Sequence, residues 1–213
     1  GFLARLRFGR RTLPAWLQNR NLEGDVEVNR LVINGEPIGR LRSHLVWQGA
    51  AIDLSSLQLQ LRAGNVRGRA TVSLAGNLPR YRLTGELAGY PWKDGFMNAS
   101  GRLDTSGTGK DTLLNLRASG TFDGRDLNIT SETAFERLSG HYDLGFEGGW
   151  PQLRLTQLEV DQDAETWQGT AASARDGSLV FDLNNGARQL RIVSTLDSPP
   201  SNGIAPFPRG STA

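Results

Sequence analysis

The stretch Leu57-Gln58-Leu59-Gln60-Leu61-Arg62-Ala63-Gly64-Asn65-Val66-Arg67-Gly68-Arg69-Ala70-Thr71-Val72-Ser73-Leu74 alternates apolar or small residues with polar ones on both sides of a break. Successive side chains of a β-strand point to opposite faces, so Leu57, Leu59 and Leu61 share one face and Gln58, Gln60 and Arg62 the other. After Ala63-Gly64-Asn65 the return run sets Val66, Gly68, Ala70, Val72 and Leu74 against Arg67, Arg69, Thr71 and Ser73. One apolar and one polar face is the pattern of a half-buried antiparallel strand, not of a strand covered on both sides.

The same grammar extends in both directions. Val26 and Val28 alternate with Glu27 and Asn29, and residues 38–74 are echoed by 135–172. Ile38-Gly39-Arg40-Leu41 answers Phe135-Glu136-Arg137-Leu138, and His44 answers His141. The leucine row 57–61 answers Leu155-Thr156-Gln157-Leu158-Glu159-Val160, and Val66-Arg67-Gly68-Arg69-Ala70 answers Trp167-Gln168-Gly169-Thr170-Ala171. Turn signals fall at Asn34-Gly35, Gly49, Gly64, Gly76-Asn77-Leu78-Pro79, Asp123-Gly124, Asp176-Gly177 and Asn185-Gly186. Such pairs supply the positive φ angles that tight hairpins need, and the spacing predicts about thirteen strands in an up-and-down meander. At ~4.8 Å per strand that sheet is roughly 60 Å wide, and an open twisted sheet of that width curls, splits or closes. The expected fold is therefore all-β: a long antiparallel meander of short strands forming a curled sheet or groove of repeating β units, preceded by a short helical or basic segment.

The organisation read from the chain is a basic entry segment over 1–21, a repeating β domain over 22–197 and a disordered tail over 198–213. Within the β domain the repeat-like units span 22–90 and 135–196, with a looser middle at 91–134 and the longest loops expected between Tyr90 and Lys110. In the entry segment Phe2, Leu3, Leu6 and Phe8 alternate with Arg5, Arg7, Arg10 and Arg11, and Pro14 suits the first turn of a short helix. A basic amphipathic stretch lying on a membrane surface is the alternative reading of that segment. The chain opens at Gly1 without a secretory signal, so the expectation is a segment of a longer protein whose targeting signal lies upstream.

Composition narrows the chemistry. Hydrophobic residues make up 38% of the 213, too few for two full layers of buried sheet. The formal net charge of +2 gives no strong field for nucleic acid, and the five tryptophans are scattered rather than interleaved with basic residues along one face. There is no cysteine, which removes disulfides and thiolate metal sites. His44 and His141 are the two histidines, at matching repeat positions, and two imidazoles alone leave a structural zinc short of ligands. Ser106-Gly107-Thr108-Gly109-Lys110-Asp111-Thr112 imitates a phosphate loop, but Asp104 replaces the leading glycine and Asp111 the Ser or Thr after the lysine, so it reads as a polar hairpin turn. Glu159, Asp161, Asp163 and Glu165 read as a solvated hairpin end, with a calcium or glycosidase site as the sharper alternative. No nucleophile elbow is present, so the residues point to a protein that is not an enzyme and needs no cofactor.

What remains is the aliphatic face. Leu57, Leu59, Leu61, Val66, Val72 and Leu74, with Leu153, Leu155, Leu158 and Val160 from the second repeat, are the candidate lining of an apolar groove suited to phospholipid acyl chains. A conventional core sealed by tight curling is the competing reading of the same residues. Arg67 and Arg69 lie where they could meet lipid phosphates, although solvated side chains are the simpler account.

Leu22-Glu23-Gly24-Asp25-Val26-Glu27-Val28 through Asn34-Gly35-Glu36-Pro37-Ile38, then Leu57 to Gly68, resembles the AsmA family of bacterial envelope proteins. Phe135-Glu136-Arg137-Leu138-Ser139-Gly140, Gly169-Thr170-Ala171 and Asp176-Gly177-Ser178-Leu179 continue the resemblance, which covers roughly residues 14–196 and specifies geometry rather than diagnostic residues. It is similar to the family's C-terminal region. The resemblance implies a parent protein anchored in the inner membrane of a Gram-negative bacterium with its bulk in the periplasm. It further implies a β groove that shields phospholipid and supports lipid transport or outer-membrane homeostasis. It implies no catalytic residues, and the membrane would be reached through parts of the parent outside this chain. The alternative is a structural β module that docks an envelope protein along its sheet edges. A carbohydrate-active β protein using Asp161, Asp163 and exposed tryptophans is a third reading.

Overall fold

The computed structural model describes residues 20–33, 36–61 and 63–195. The expected entry segment and tail, and the Asn34-Gly35 turn, lie outside the described residues, apart from Arg20, Asn21 and the start of the first strand. Twelve strands follow one another in a single antiparallel meander sheet that does not close into a barrel. They are β1 (Asn21–Ile33), β2 (Glu36–Gln48), β3 (Ala51–Leu61), β4 (Asn65–Ser73), β5 (Arg80–Trp92) and β6 (Gly95–Ser106). After the helix α1 (Lys110–Leu114) come β7 (Arg117–Asn128), β8 (Ala134–Glu147), β9 (Trp150–Gln162), β10 (Glu165–Ser173), β11 (Ser178–Asn184) and β12 (Gln189–Thr195). Among the described residues the strand count is twelve rather than about thirteen.

Three local readings change. The stretch from Tyr90 to Lys110 is mostly strand, because Lys93 and Asp94 take left-handed φ angles of 51° and 65° and close a two-residue hairpin between β5 and β6. Asp123-Gly124 is not a turn but lies inside β7. A Cβ on Gly124 would sit 2.5 Å from Met97 Sδ and 2.8 Å from Leu127 Cδ1, so the missing side chain makes room for core packing. The polar turn at Gly109 runs into the five-residue helix α1 instead of directly into a strand.

The repeat is visible as one shared irregularity. Leu54 faces Ala70 and Leu57 faces Gly68, so Ser55 and Ser56 of β3 oppose Arg69 of β4 alone. Leu155 faces Ala171 and Leu158 faces Gly169, so Thr156 and Gln157 of β9 oppose Thr170 of β10 in the same way. Ser56 and Gln157 both take left-handed φ, 53° and 50°, at these β-bulges. The extra residue restores facing: Leu54 and Leu57, three apart, and Leu155 and Leu158, also three apart, each end on one side of the sheet. At matching places Gly68 and Gly169 bring strands close, since a Cβ there would lie 2.2 Å from the Thr84 carbonyl oxygen and 2.0 Å from that of Asp182.

The chain divides into two compact units. Unit one takes the described residues up to Glu86 together with Arg102–Arg117, and unit two takes Leu87–Gly101 and the described residues from Ala118 onward. Unit two owns a sealed core of Phe122, Leu127, Ile129, Phe135, Leu138, Leu155, Leu158, Val160, Trp167, Leu179, Phe181 and their neighbours. β8 and β11 stand three places apart in the sheet, ~14 Å on a flat sheet, yet the rings of Phe135 and Phe181 meet edge to face at 5.7 Å. The sheet of unit two therefore curls on itself and buries its apolar face without a second layer. Ser194 of β12 donates to the Ile129 carbonyl at 2.5 Å, and Lys93 Nζ reaches Thr195 Oγ1 at 3.3 Å, which ties the last strand to the β7–β8 and β5–β6 connections.

Candidate functional site

Unit one handles the same pattern differently. Register sets Val28, Leu41, Leu59 and Val66 in one row across β1 to β4, Leu45, Leu54 and Ala70 in a second, and Trp47, Ile52 and Val72 in a third. All of these are half-buried, and on the unit-one part of β5 half-buried Tyr81 and Leu83 alternate with exposed Arg80, Arg82 and Thr84. Among the described residues of unit one, Leu57 and Leu74 are the buried hydrophobic side chains, at 6% and 7% exposure. These rows make a continuous apolar face whose described side chains keep partial exposure, which is the kind of surface that favours an apolar partner.

The expected lining residues split between the units. Leu57, Leu59, Leu61, Val66, Val72 and Leu74 fall in unit one, with Leu59 opposite Val66 and Val72 opposite Ile52. Leu155, Leu158 and Val160 fall in the sealed core of unit two, with Leu158 and Val160 at 1% and 0% exposure, and half-buried Leu153 packs against that core. Sequence reasoning missed Leu41, Leu45, Trp47, Ile52, Leu54, Tyr81 and Leu83 as members of the unit-one face. The alternation in 41–47 and 52–54 carried the signal, but placing it on the same side as Leu57 required knowing the bulge at Ser56.

The opposite face of unit one is a ladder of charge. Glu27 accepts from Arg42 at 3.1 Å and lies 3.9 Å from Arg40. His44 stands between two carboxylates of β1, with Nδ1 2.9 Å from Asp25 and Nε2 3.4 Å from Glu23. The hydrogen bond with Asp25 holds its imidazole pKa above the usual histidine value, against a smaller opposing effect of desolvation. Arg69 is paired with Asp53, and exposed Arg67 faces Gln58, so both arginines belong to this solvated side rather than to the apolar one. Exposed pairs of this kind orient strands more than they stabilise them.

The carboxylates at the β9–β10 hairpin are committed to local structure. Asp161 accepts from the Thr166 hydroxyl at 2.9 Å, Glu165 pairs with Arg188, and Asp163 and Ala164 form the turn itself with φ of 51° and 63°. Among the described residues no group of three or more His, Asp or Glu side chains is arranged to hold a metal ion, and no helix is long and apolar enough to cross a membrane. Compared with family models, with curated proteins and with solved structures, the chain matches none.

Proposed function

We propose that this chain is a non-enzymatic, lipid-binding segment of an AsmA-like envelope protein, in which the apolar face of unit one shields phospholipid acyl chains. The observation that carries the reading is the contrast between the units. The same alternating pattern is sealed by curling around Phe135 and Phe181 in unit two and left only partly buried from Val28 to Leu83 in unit one. Acyl chains match such a face because they need no directional polar contacts and remove apolar surface from water at about 25 cal/mol per Å². On this reading the resemblance to AsmA proteins implies a periplasmic parent with an inner-membrane anchor, and phospholipid transport or outer-membrane homeostasis as the wider role.

Leu59 is the residue to change, because it sits mid-row between Leu41 and Val66 and is half-buried rather than core. Leu59→Asp is expected to abolish phospholipid co-purification while the far-ultraviolet β spectrum persists. Lipid retained at the wild-type level would overturn the reading. The second reading, strand addition by an envelope protein, rests on β1, whose thirteen residues stand at one end of the strand order. Lipid-free protein that captures a β-rich partner, and loses it on introducing proline into β1, would favour that alternative.

A further inference from the structure

On unit one, the start of β5, the end of β6 and the start of β7 converge on a cleft of about 370 Å³ that holds none of the β1–β4 rows and meets the apolar face at Tyr81 alone. Its lining includes Arg80, Arg82 and Arg117, with Asp104 as the one carboxylate, and Ser106 and Asn115 closing the side toward α1. Three guanidinium groups against one carboxylate leave a formal surplus of two positive charges in a concave space. Field lines concentrate in such a cleft and raise the local concentration of anions.

The internal bonding of the cleft fixes its shape. Arg82 Nε donates to Asp104 Oδ1 at 2.8 Å, while Arg102 clamps the same carboxylate from along β6. The Arg102 hydrogen bond, with help from Arg82, holds the Asp104 carboxyl below its ordinary pKa, so it stays ionised and keeps Arg82 in place. Asn115 Nδ2 donates to the Ser106 carbonyl at 3.1 Å and pins the end of α1 to β6. Arg117 Nη1 donates to the Leu116 carbonyl at 2.9 Å, which orients its guanidinium at the start of β7. Arg80 opens β5 as an exposed side chain.

We propose that this cleft is a phosphate-binding site, taking a phosphate mono- or diester through Arg80, Arg82 and Arg117. Planar guanidinium groups meet phosphate oxygens through paired N–H donors, which makes arginine rather than lysine the fitting residue here. Ser106 lies beside them in the lining. The volume exceeds that of the phosphate alone and accommodates part of the esterified alcohol, so the ligand is a phospholipid headgroup or a soluble phosphate ester. This site is independent of acyl-chain binding, since inorganic phosphate carries no acyl chain.

The test is titration of the full chain with inorganic phosphate at low ionic strength, followed by backbone amide chemical shifts. Saturable shifts are expected at Arg80–Arg82, Thr105–Ser106 and Asn115–Arg117. The double variant Arg80→Gln/Arg117→Gln should weaken binding at least ~10-fold, as expected for loss of charge-assisted bidentate contacts. Arg191→Gln, an exposed arginine of unit two paired with Asp182, should leave it unchanged. Vesicles of phosphatidylglycerol and of phosphatidylcholine distinguish the sources. Shifts at the cleft with phosphatidylglycerol vesicles assign a headgroup, whereas shifts with phosphate but not with vesicles assign a soluble ester. Absence of saturable shifts with phosphate, or equal weakening in Arg191→Gln, would overturn the site.

Discussion

Ser194 Oγ in β12 donates to the carbonyl of Ile129, the residue just after β7, across 2.5 Å and 65 positions of sequence. The bond is buried, and it joins the last described strand to the connection that leads into the Phe135 core. This is how unit two turns a one-layer sheet into a sealed body. Removing the hydroxyl leaves the Ile129 carbonyl without that donor in a place where water does not replace it. Ser194→Ala should therefore lower the unfolding free energy by about 1–3 kcal/mol, read from the urea midpoint at unchanged slope. A cost near zero would mean that the closure does not depend on this strap.

The contrast between the units predicts unequal costs for equivalent truncations. Phe135 is fully buried against Phe181, and Phe135→Ala should cost about 3–5 kcal/mol because the ring leaves a cavity. Leu59 is half-buried rather than sealed, and Leu59→Ala should cost only about 1 kcal/mol, in proportion to the smaller area withdrawn from water. Similar losses in urea unfolding would place both residues in one kind of core.

Strand spacing supplies a sharper test. The Cβ of an alanine at 169 would lie 2.0 Å from the Asp182 carbonyl oxygen, so β10 and β11 must part to admit it. Gly169→Ala should destabilise by about 1–3 kcal/mol, whereas Gly24→Ala, whose Cβ meets nothing within 4 Å, should stay within about 0.5 kcal/mol of the parent. Thermal midpoints of the two variants make the comparison directly, and a larger loss for Gly24→Ala would contradict the register.

His44 makes the β1–β2 pairing sensitive to pH. Its folded pKa is raised above the ordinary 6.5 chiefly by the Asp25 hydrogen bond, with Glu23 adding to it. Arg42 and Arg40 face Glu27 on the same side of the pair, and Ser55 stands opposite on β3, so the two β1 carboxylates are the charges that favour the imidazolium. A raised folded pKa means the contribution to stability is complete below pH 6.5 and is lost as the pH rises through the folded value. The imidazole C–H resonances of His44 should titrate above the ordinary histidine range, and Asp25→Asn should bring the midpoint down. An unmoved midpoint in Asp25→Asn would exclude this ion pair as the cause.

The strand grammar was legible because apolar alternation around Leu57–Leu74 survives any choice of tertiary contacts. What escaped were features with no local signature. Ser56 and Gln157 adopt left-handed φ without being glycine or asparagine, so the bulges that keep Leu54 with Leu57 and Leu155 with Leu158 on one face do not announce themselves. Lys93-Asp94 closes a hairpin that glycine-based turn rules pass over, and Gly124 looks like a turn residue when its role is to leave space for Met97 and Leu127. The candidate lining residues are an apolar set in the sequence, but whether a given leucine ends in a sealed core depends on curvature. That curvature is fixed by contacts such as Phe135 with Phe181, three strands apart, which period-2 patterning does not encode.

The most direct test of the central claim is native mass spectrometry of the purified chain, with lipid extraction and identification from the same preparation. The account predicts phospholipid bound at a defined stoichiometry and displaced in the Leu59→Asp variant. A monodisperse, lipid-free protein that also fails to take up added phospholipid would contradict it.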